Sequence, residues 1–396
     1  MTSACAGGGA ATGGLIPVRT TIFEQMSARA AQTGAINLGQ GFPDTAGPPS
    51  VREAAARAIL DGPHHYPRMR GTDALREQLS AFYADTQGLA YATGTEIVVT
   101  SGATEALAST ILALLAPGDG ALLLEPLYDA YGPLVRRAGA IAQHVRLNPP
   151  GWRIDRAALE AAVTPATRAI VVNDPVNPTG RMLDPDERAA IRDVALAHDL
   201  LIIADEVWEE VRPGLRPHVS LAADPILRDR VVKIGSAGKI FQLTGWKVGW
   251  ALAPAKLAAR IAATHQFITF TTPPALQQAV AEGLANERAW LPVMRSEIEA
   301  GRARLEAGLQ AAGYAVLPSE ATWFLSIDLA ASGIALDDVD FCEALVNRHG
   351  VAAIPVSAFF EGEGAPSNVV RFCHAKAEQT ISAALERLQT ARLHFS

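Results

Sequence analysis

Ser236-Ala237-Gly238-Lys239-Ile240-Phe241-Gln242-Leu243-Thr244-Gly245-Trp246-Lys247-Val248-Gly249 follows the apolar run Val231-Val232-Lys233-Ile234 and sets two lysines and a serine in a turn of small residues. A lysine amine attacks a carbonyl only after losing its proton, and a neighbouring cation such as Lys247 disfavours the charged form. Lys239 is therefore the candidate for a Schiff base with a phosphate-bearing aldehyde. Lys247 and the Ser236 hydroxyl are the candidates for holding phosphate oxygens. A lone lysine after a strand fits a solvated surface as well, so the reading depends on what the rest of the chain brings.

Leu201-Ile202-Ile203-Ala204 reads as a fully buried strand ending in Asp205-Glu206-Val207-Trp208. A carboxylate there suits a pyridine nitrogen, which it keeps protonated so that a pyridoxal ring can accept electrons from a Cα carbanion. As a plain structural residue, Asp205 would cap the segment that follows. Ala169-Ile170-Val171-Val172 is a second such strand, and Asn173-Asp174-Pro175-Val176-Asn177-Pro178-Thr179-Gly180 after it is stiffened by two prolines. It would present the Asn177 amide to the cofactor's phenolic oxygen, or serve as an ordinary Asn-Pro turn. Ile97-Val98-Val99-Thr100 runs into Ser101-Gly102-Ala103-Thr104-Glu105, the start of a helical pattern whose free N–H groups suit phosphate. Leu122-Leu123-Leu124 delivers Glu125-Pro126-Leu127-Tyr128-Asp129-Ala130-Tyr131, where Tyr128 is placed to lie against a planar ring. Both tyrosines also fit a core.

These groups all fall just past the ends of strands, where α/β sheets collect ligand contacts. In this order they resemble the fold-type I, class I/II pyridoxal-phosphate aminotransferases, closest to the kynurenine/glutamine/methionine branch that includes bacterial succinyldiaminopimelate transaminase-like enzymes. The resemblance runs from about Ile16 to the C-terminus. It includes Asn37-Leu38-Gly39-Gln40-Gly41-Phe42-Pro43-Asp44 and Val370-Arg371-Phe372-Cys373. It implies an α/β fold with a mostly parallel central sheet in a large domain beside a smaller α+β domain. It also implies pyridoxal 5'-phosphate held by Gly102, Ala103, Thr104, Tyr128, Asn177, Asp205, Trp208, Ser236, Lys239 and Lys247, with Lys239 and Asp205 catalytic and no metal.

The resemblance assigns further roles. Arg371 matches the arginine that grips the substrate α-carboxylate, Gly39 lies where the backbone approaches it, and Phe23 walls the side-chain pocket, with Asn177 touching substrate as well. Tyr66 matches a tyrosine that reaches the phosphate of the neighbouring subunit, which implies a homodimer. Trp208 stands where the family usually has a tyrosine. Val176 replaces a residue that is usually polar. Thr271 stands where animal members carry a histidine. Arg68 and Arg70 are placed to favour an acidic side chain if they face the pocket.

Length and composition agree. At about 100–200 residues per domain, 396 residues allow two or three domains, and 49% apolar with 19% charged residues describes a globular protein. A net charge of −7 without a basic run argues against nucleic-acid or membrane-surface binding. Cys5, Cys342 and Cys373 lack metal or disulfide spacing, and no run is apolar enough to span a membrane, so a cytoplasmic protein is expected. Residues 1–14 read as a disordered tail, 15–49 as a segment joining the small domain, 50–285 as the large cofactor domain and 286–396 as the small domain. The expected activity is transfer of an amino group from an L-amino acid to a 2-oxo acid by a ping-pong cycle, with Lys239 as Schiff base and general base. Two other readings share these residues: a cysteine-conjugate C–S β-lyase and a non-catalytic pyridoxal-phosphate sensor.

Overall fold

The computed structural model describes residues 20–214, 216–361 and 364–395; the 1–14 tail and Cys5 lie outside them. The apolar runs form one seven-stranded sheet. Across it the order is Ile97–Thr100, Gly249–Leu252, Val231–Ser236, Leu201–Asp205, Thr167–Asn173, Gly120–Glu125 and Ile141–Arg146. Gly249–Leu252 is antiparallel to both neighbours, and every other adjacent pair is parallel. The central strands are buried on both faces, as a parallel sheet covered by helices requires. Alternate residues feed two cores: Ile170, Val172, Ile202 and Ala204 face one, while Ala169, Val171 and Ile203 face the other.

This topology brings the ends of Ile97–Thr100, Gly120–Glu125, Thr167–Asn173, Leu201–Asp205 and Val231–Ser236 to one edge of the sheet. Residues scattered over more than a hundred positions of sequence therefore meet. A second, antiparallel sheet has the order Ile354–Pro355, Val369–Cys373, Phe324–Asp328 and Ala315–Leu317. A third core joins Met26, Ala30 and Leu38 to residues between Leu305 and Ala391. Ile36–Asn37 pairs in parallel with Val351–Ala352, which carries the chain past the second sheet before it enters the first. The helices behave as their sequences direct: Pro185–Ala197 starts on a capping box of Asp184 and Glu187, and Ile22–Thr33 ends on Gly34 in the left-handed region.

One residue breaks the apolar pattern of its strand. Lys233 is fully buried, and its ammonium donates to Glu206 and, at 2.6 Å, to Glu209 Oε2. Glu209 also accepts from the Tyr83 hydroxyl at 2.6 Å, and Trp250 Nε1 donates to that hydroxyl at 2.9 Å. The network ties the segment after Asp205 to the neighbouring strands. Lys233→Met should leave two buried carboxylates without a cation and destabilise the fold by about 3–5 kcal/mol. A fall in the midpoint of urea unfolding would show it; a midpoint equal to that of the wild type would mean the network contributes nothing to stability.

Candidate active site

At the common edge of the strands lies a cavity of about 250 Å³, lined by Gly102, Ala103, Thr104, Tyr128, Asn177, Asp205, Trp208, Ser236, Lys239 and Lys247, among others. Ten of the eleven residues expected at a cofactor from the sequence thus share one cavity; the eleventh, Tyr66, does not line it. Their placement follows from strand ends. Asp205 closes Leu201–Asp205, and Lys239 sits on the short helix Ala237–Ile240 directly after Val231–Ser236. Burial pushes the Asp205 carboxyl up to about 6, opposed by the Tyr131 hydroxyl, which donates to Oδ2 at 2.6 Å. Burial pushes the Lys239 amine down to about 8, against the attraction of Asp205. Its Nζ lies 4.1 Å from the ring centroid of Trp208 and 4.5 Å from that of Trp323, and the two indoles meet edge to face at 4.9 Å.

The other wall is built for an anion. Gly102 adopts φ +84°, and a Cβ there would lie 2.9 Å from Lys247 Cε and 3.1 Å from Nζ. A glycine thus lets the Lys247 ammonium rest over the start of the helix Ala103–Leu114, where unpaired N–H groups already favour negative charge. Thr104 hydrogen-bonds Tyr128, whose ring meets Tyr131 edge to face at 5.7 Å.

Arg371 stands beside this cavity on Val369–Cys373. It is buried; Nη1 donates to Asn177 Oδ1 at 2.8 Å, Nη2 to the Gly39 carbonyl at 2.7 Å, and Nε has no partner. Phe324, Phe359 and Phe23 surround the guanidinium, with centroids 3.8, 5.0 and 5.3 Å from Cζ. No carboxylate among the described residues pairs with it within 4 Å. Burial lowers its pKa to about 9. A buried cation satisfied by neutral acceptors alone is prepared for an incoming carboxylate.

Tyr66 lies elsewhere. It is 85% exposed, packs edge to face on Phe270 at 5.5 Å, and does not line the cavity. Arg68 pairs with Asp73 at 3.6 Å and Arg70 donates to the Thr95 carbonyl at 3.0 Å, so neither lines the cavity of its own chain. Thr271 Oγ1 is buried without a partner, away from the lining. Sequence reasoning missed Tyr131 as the partner of Asp205, and missed Trp323, Phe324 and Phe359. Tyr131 carries a signal, its place three residues after Tyr128; the others reach the site from the segments at and around the second sheet.

The chain matches the model of the family "Aminotransferase class I and II" over residues 33–388. It belongs to the class I and II aminotransferases. Among relatives, it is 43% identical to a probable N-succinyldiaminopimelate aminotransferase from Mycobacterium tuberculosis, with 94% of this chain and 96% of that protein covered. It is 39% identical to a methionine aminotransferase from Escherichia coli, over 93% of this chain and 95% of that one. The solved structure of N-succinyldiaminopimelate aminotransferase from Mycobacterium tuberculosis superposes with a TM-score of 0.91 at 43% identity, covering 94% of this chain and 97% of that chain. These matches bear out the fold-type I α/β class, the branch and the aminotransferase function expected from the sequence.

The raised pKa of Asp205 fixes the sign of a stability effect. Its folded value of about 6 lies above the ordinary 3.8, so the folded state binds the proton more tightly and loses stability as pH rises through that window. In the ligand-free protein, Asp205→Asn should therefore raise stability above pH 7 by on the order of 2–3 kcal/mol, and by much less at pH 4. Thermal melts of both proteins at the two pH values check this; equal gaps at both would mean burial does not oppose ionisation of Asp205.

Proposed function

We propose that the aminotransferase works as a cytoplasmic homodimer that holds pyridoxal 5'-phosphate in the 250 Å³ cavity. The observation that carries this reading is the meeting of a carboxyl and an amine, Asp205 and Lys239, whose charged forms burial disfavours, on one side of a cavity whose other side is prepared for phosphate. When bound, the cofactor supplies an electron sink for the charge left on Cα. The donor set fits it: Asp205 for the ring nitrogen, Tyr128 and Trp208 for the ring faces, Asn177 for the phenolic oxygen, and Gly102, Ala103, Thr104, Ser236 and Lys247 for the phosphate.

Lys239, with a pKa near 8, is neutral often enough at physiological pH to take the α-proton at Nζ and to return it. The two indoles around Nζ keep water from that proton. Arg371 orients the substrate through its α-carboxylate, and Phe23, Phe324 and Phe359 form an apolar surround. That surround favours donors with an uncharged side chain, as in methionine, for which one relative is named. Exposure of Tyr66, Phe267 and Phe270 supports a partner subunit on this face, with Tyr66 completing the neighbouring site. The third core supports a division into a large domain of residues 50–285 and a small one of 286–396, with the N-terminal segment on the latter.

Borohydride treatment of the loaded protein should fix the cofactor on the peptide containing Lys239, and Lys239→Ala should lose all turnover; label on another peptide would refute the assignment. Amino donors added without an oxo acid should convert the bound cofactor to its amine form, and 2-oxoglutarate or pyruvate should restore it. Pyruvate release from cysteine conjugates without that conversion would mean a lyase, and an unchanged spectrum would mean a sensor. Arg371→Lys keeps the charge but loses the planar fork, so kcat/KM should fall about ten- to a hundredfold and by a similar factor for every donor. A loss confined to acidic donors would assign the α-carboxylate to another cation.

A further inference from the structure

Phe359, one of the rings against Arg371, is held by contacts from the first sheet. It ends the short turn Val356–Phe359, and the Leu127 N–H, next to Tyr128, donates to its carbonyl at 2.8 Å. Two residues on, the Glu361 N–H donates to Glu125 Oε1 at 2.6 Å. Arg136 donates to both Glu361 oxygens, at 2.6 and 3.0 Å. His144 lies between the two acids, with Nδ1 3.0 Å from Glu125 Oε1 and Nε2 3.5 Å from Glu361 Oε2. Glu125 is fully buried and its Oε2 has no partner.

We propose that His144, Glu125, Arg136 and Glu361 form a clasp that holds Phe359 against Arg371, so that His144 is a positioning residue for the substrate carboxylate. This rests on the reading of Arg371 given above. An imidazolium has two N–H groups and can bridge two carboxylates, whereas neutral imidazole has one and must turn a lone pair toward the other acid. With His144 charged, two cations balance two carboxylates; with it neutral, Arg136 still pairs with Glu361 but Glu125 has no cation beside it. The hydrogen bond to Glu125 raises the His144 pKa, so the bridging form persists toward neutral pH. Other charged groups on the surrounding elements are engaged elsewhere or point to solvent: Arg146 donates to the Gly364 carbonyl, Glu160 pairs with His198 and Arg156, and Arg137 is exposed.

The test compares the loaded wild-type enzyme with His144→Gln from pH 6 to 9, reading KM and kcat for its fastest amino donor and amide deuterium exchange in the peptide containing Phe359 to Glu361. At pH 6 the variant should show a KM about three- to tenfold higher with similar kcat, and faster exchange of the Glu361 amide after correction for chemical exchange. Both gaps should close as pH rises through the His144 pKa, because neutral His144 no longer bridges the two acids; the ratio to the variant cancels titration of substrate and Lys239. Glu361→Gln, at a partly exposed position, should retain the fold and weaken the pH dependence of exchange. Wild-type exchange and KM ratios that do not change with pH would overturn the clasp. A pH-dependent exchange with an unchanged KM ratio would overturn the positioning role alone. If Arg371→Lys left kcat/KM normal while the exchange pattern persisted, the reading of Arg371 would have failed, and the clasp would stand as a structural device.

Discussion

Three charged groups that would be more stable in water are kept out of it at one edge of a parallel sheet, and most of the local architecture exists to keep them there. Asp205, Lys239 and Arg371 all have pKa values displaced toward the neutral form by burial. None is neutralised by a tight ion pair. Asp205 receives a phenol, Lys239 two indole faces, and Arg371 an amide oxygen, a carbonyl and three phenyl rings. A rigid sheet that fixes where each strand ends can sustain that cost, which a mobile loop would relieve by turning the side chains outward.

The neighbouring Lys233 shows the opposite solution. It is as deeply buried, but two glutamates take up its ammonium and its pKa rises rather than falls. The segment from Asp205 to Glu209 therefore serves two environments: Asp205 and Trp208 face the cavity, while Glu206 and Glu209 serve a closed ionic network. One short stretch of chain thus interleaves cavity-lining residues with residues of the ionic network.

The site was legible in the sequence wherever its chemistry is local. Apolar runs marked five of the seven strands of the large sheet to within about two residues, missing Ile141–Arg146 and Gly249–Leu252, and the polar residues just beyond them, Asp205, Asn177, Gly102, Ser236 and Lys239, meet in one cavity because strand direction alone brings strand ends together. Contacts between distant segments left no such trace. Tyr131 meets Asp205 across 74 residues and Arg371 meets Gly39 across 332, so their pairing depends on the tertiary fold. Arg371 and Gly39 were found through family resemblance, not through any local pattern. Lys233 was hidden for another reason: one lysine in an apolar run carries no mark of the acids that satisfy it. Tyr66 lies outside the cavity of its own chain.

The paired indoles around Lys239 have an optical consequence. Trp208 and Trp323 touch the Lys239 amine and each other, and both are almost wholly shielded from solvent. Their ultraviolet emission depends on the charge of that amine and is quenched by energy transfer to any chromophore that absorbs at longer wavelength in the adjoining cavity. The pair thus forms an intrinsic fluorescent gauge of that amine's charge and of what fills the adjoining cavity, and a dye is not needed to follow either.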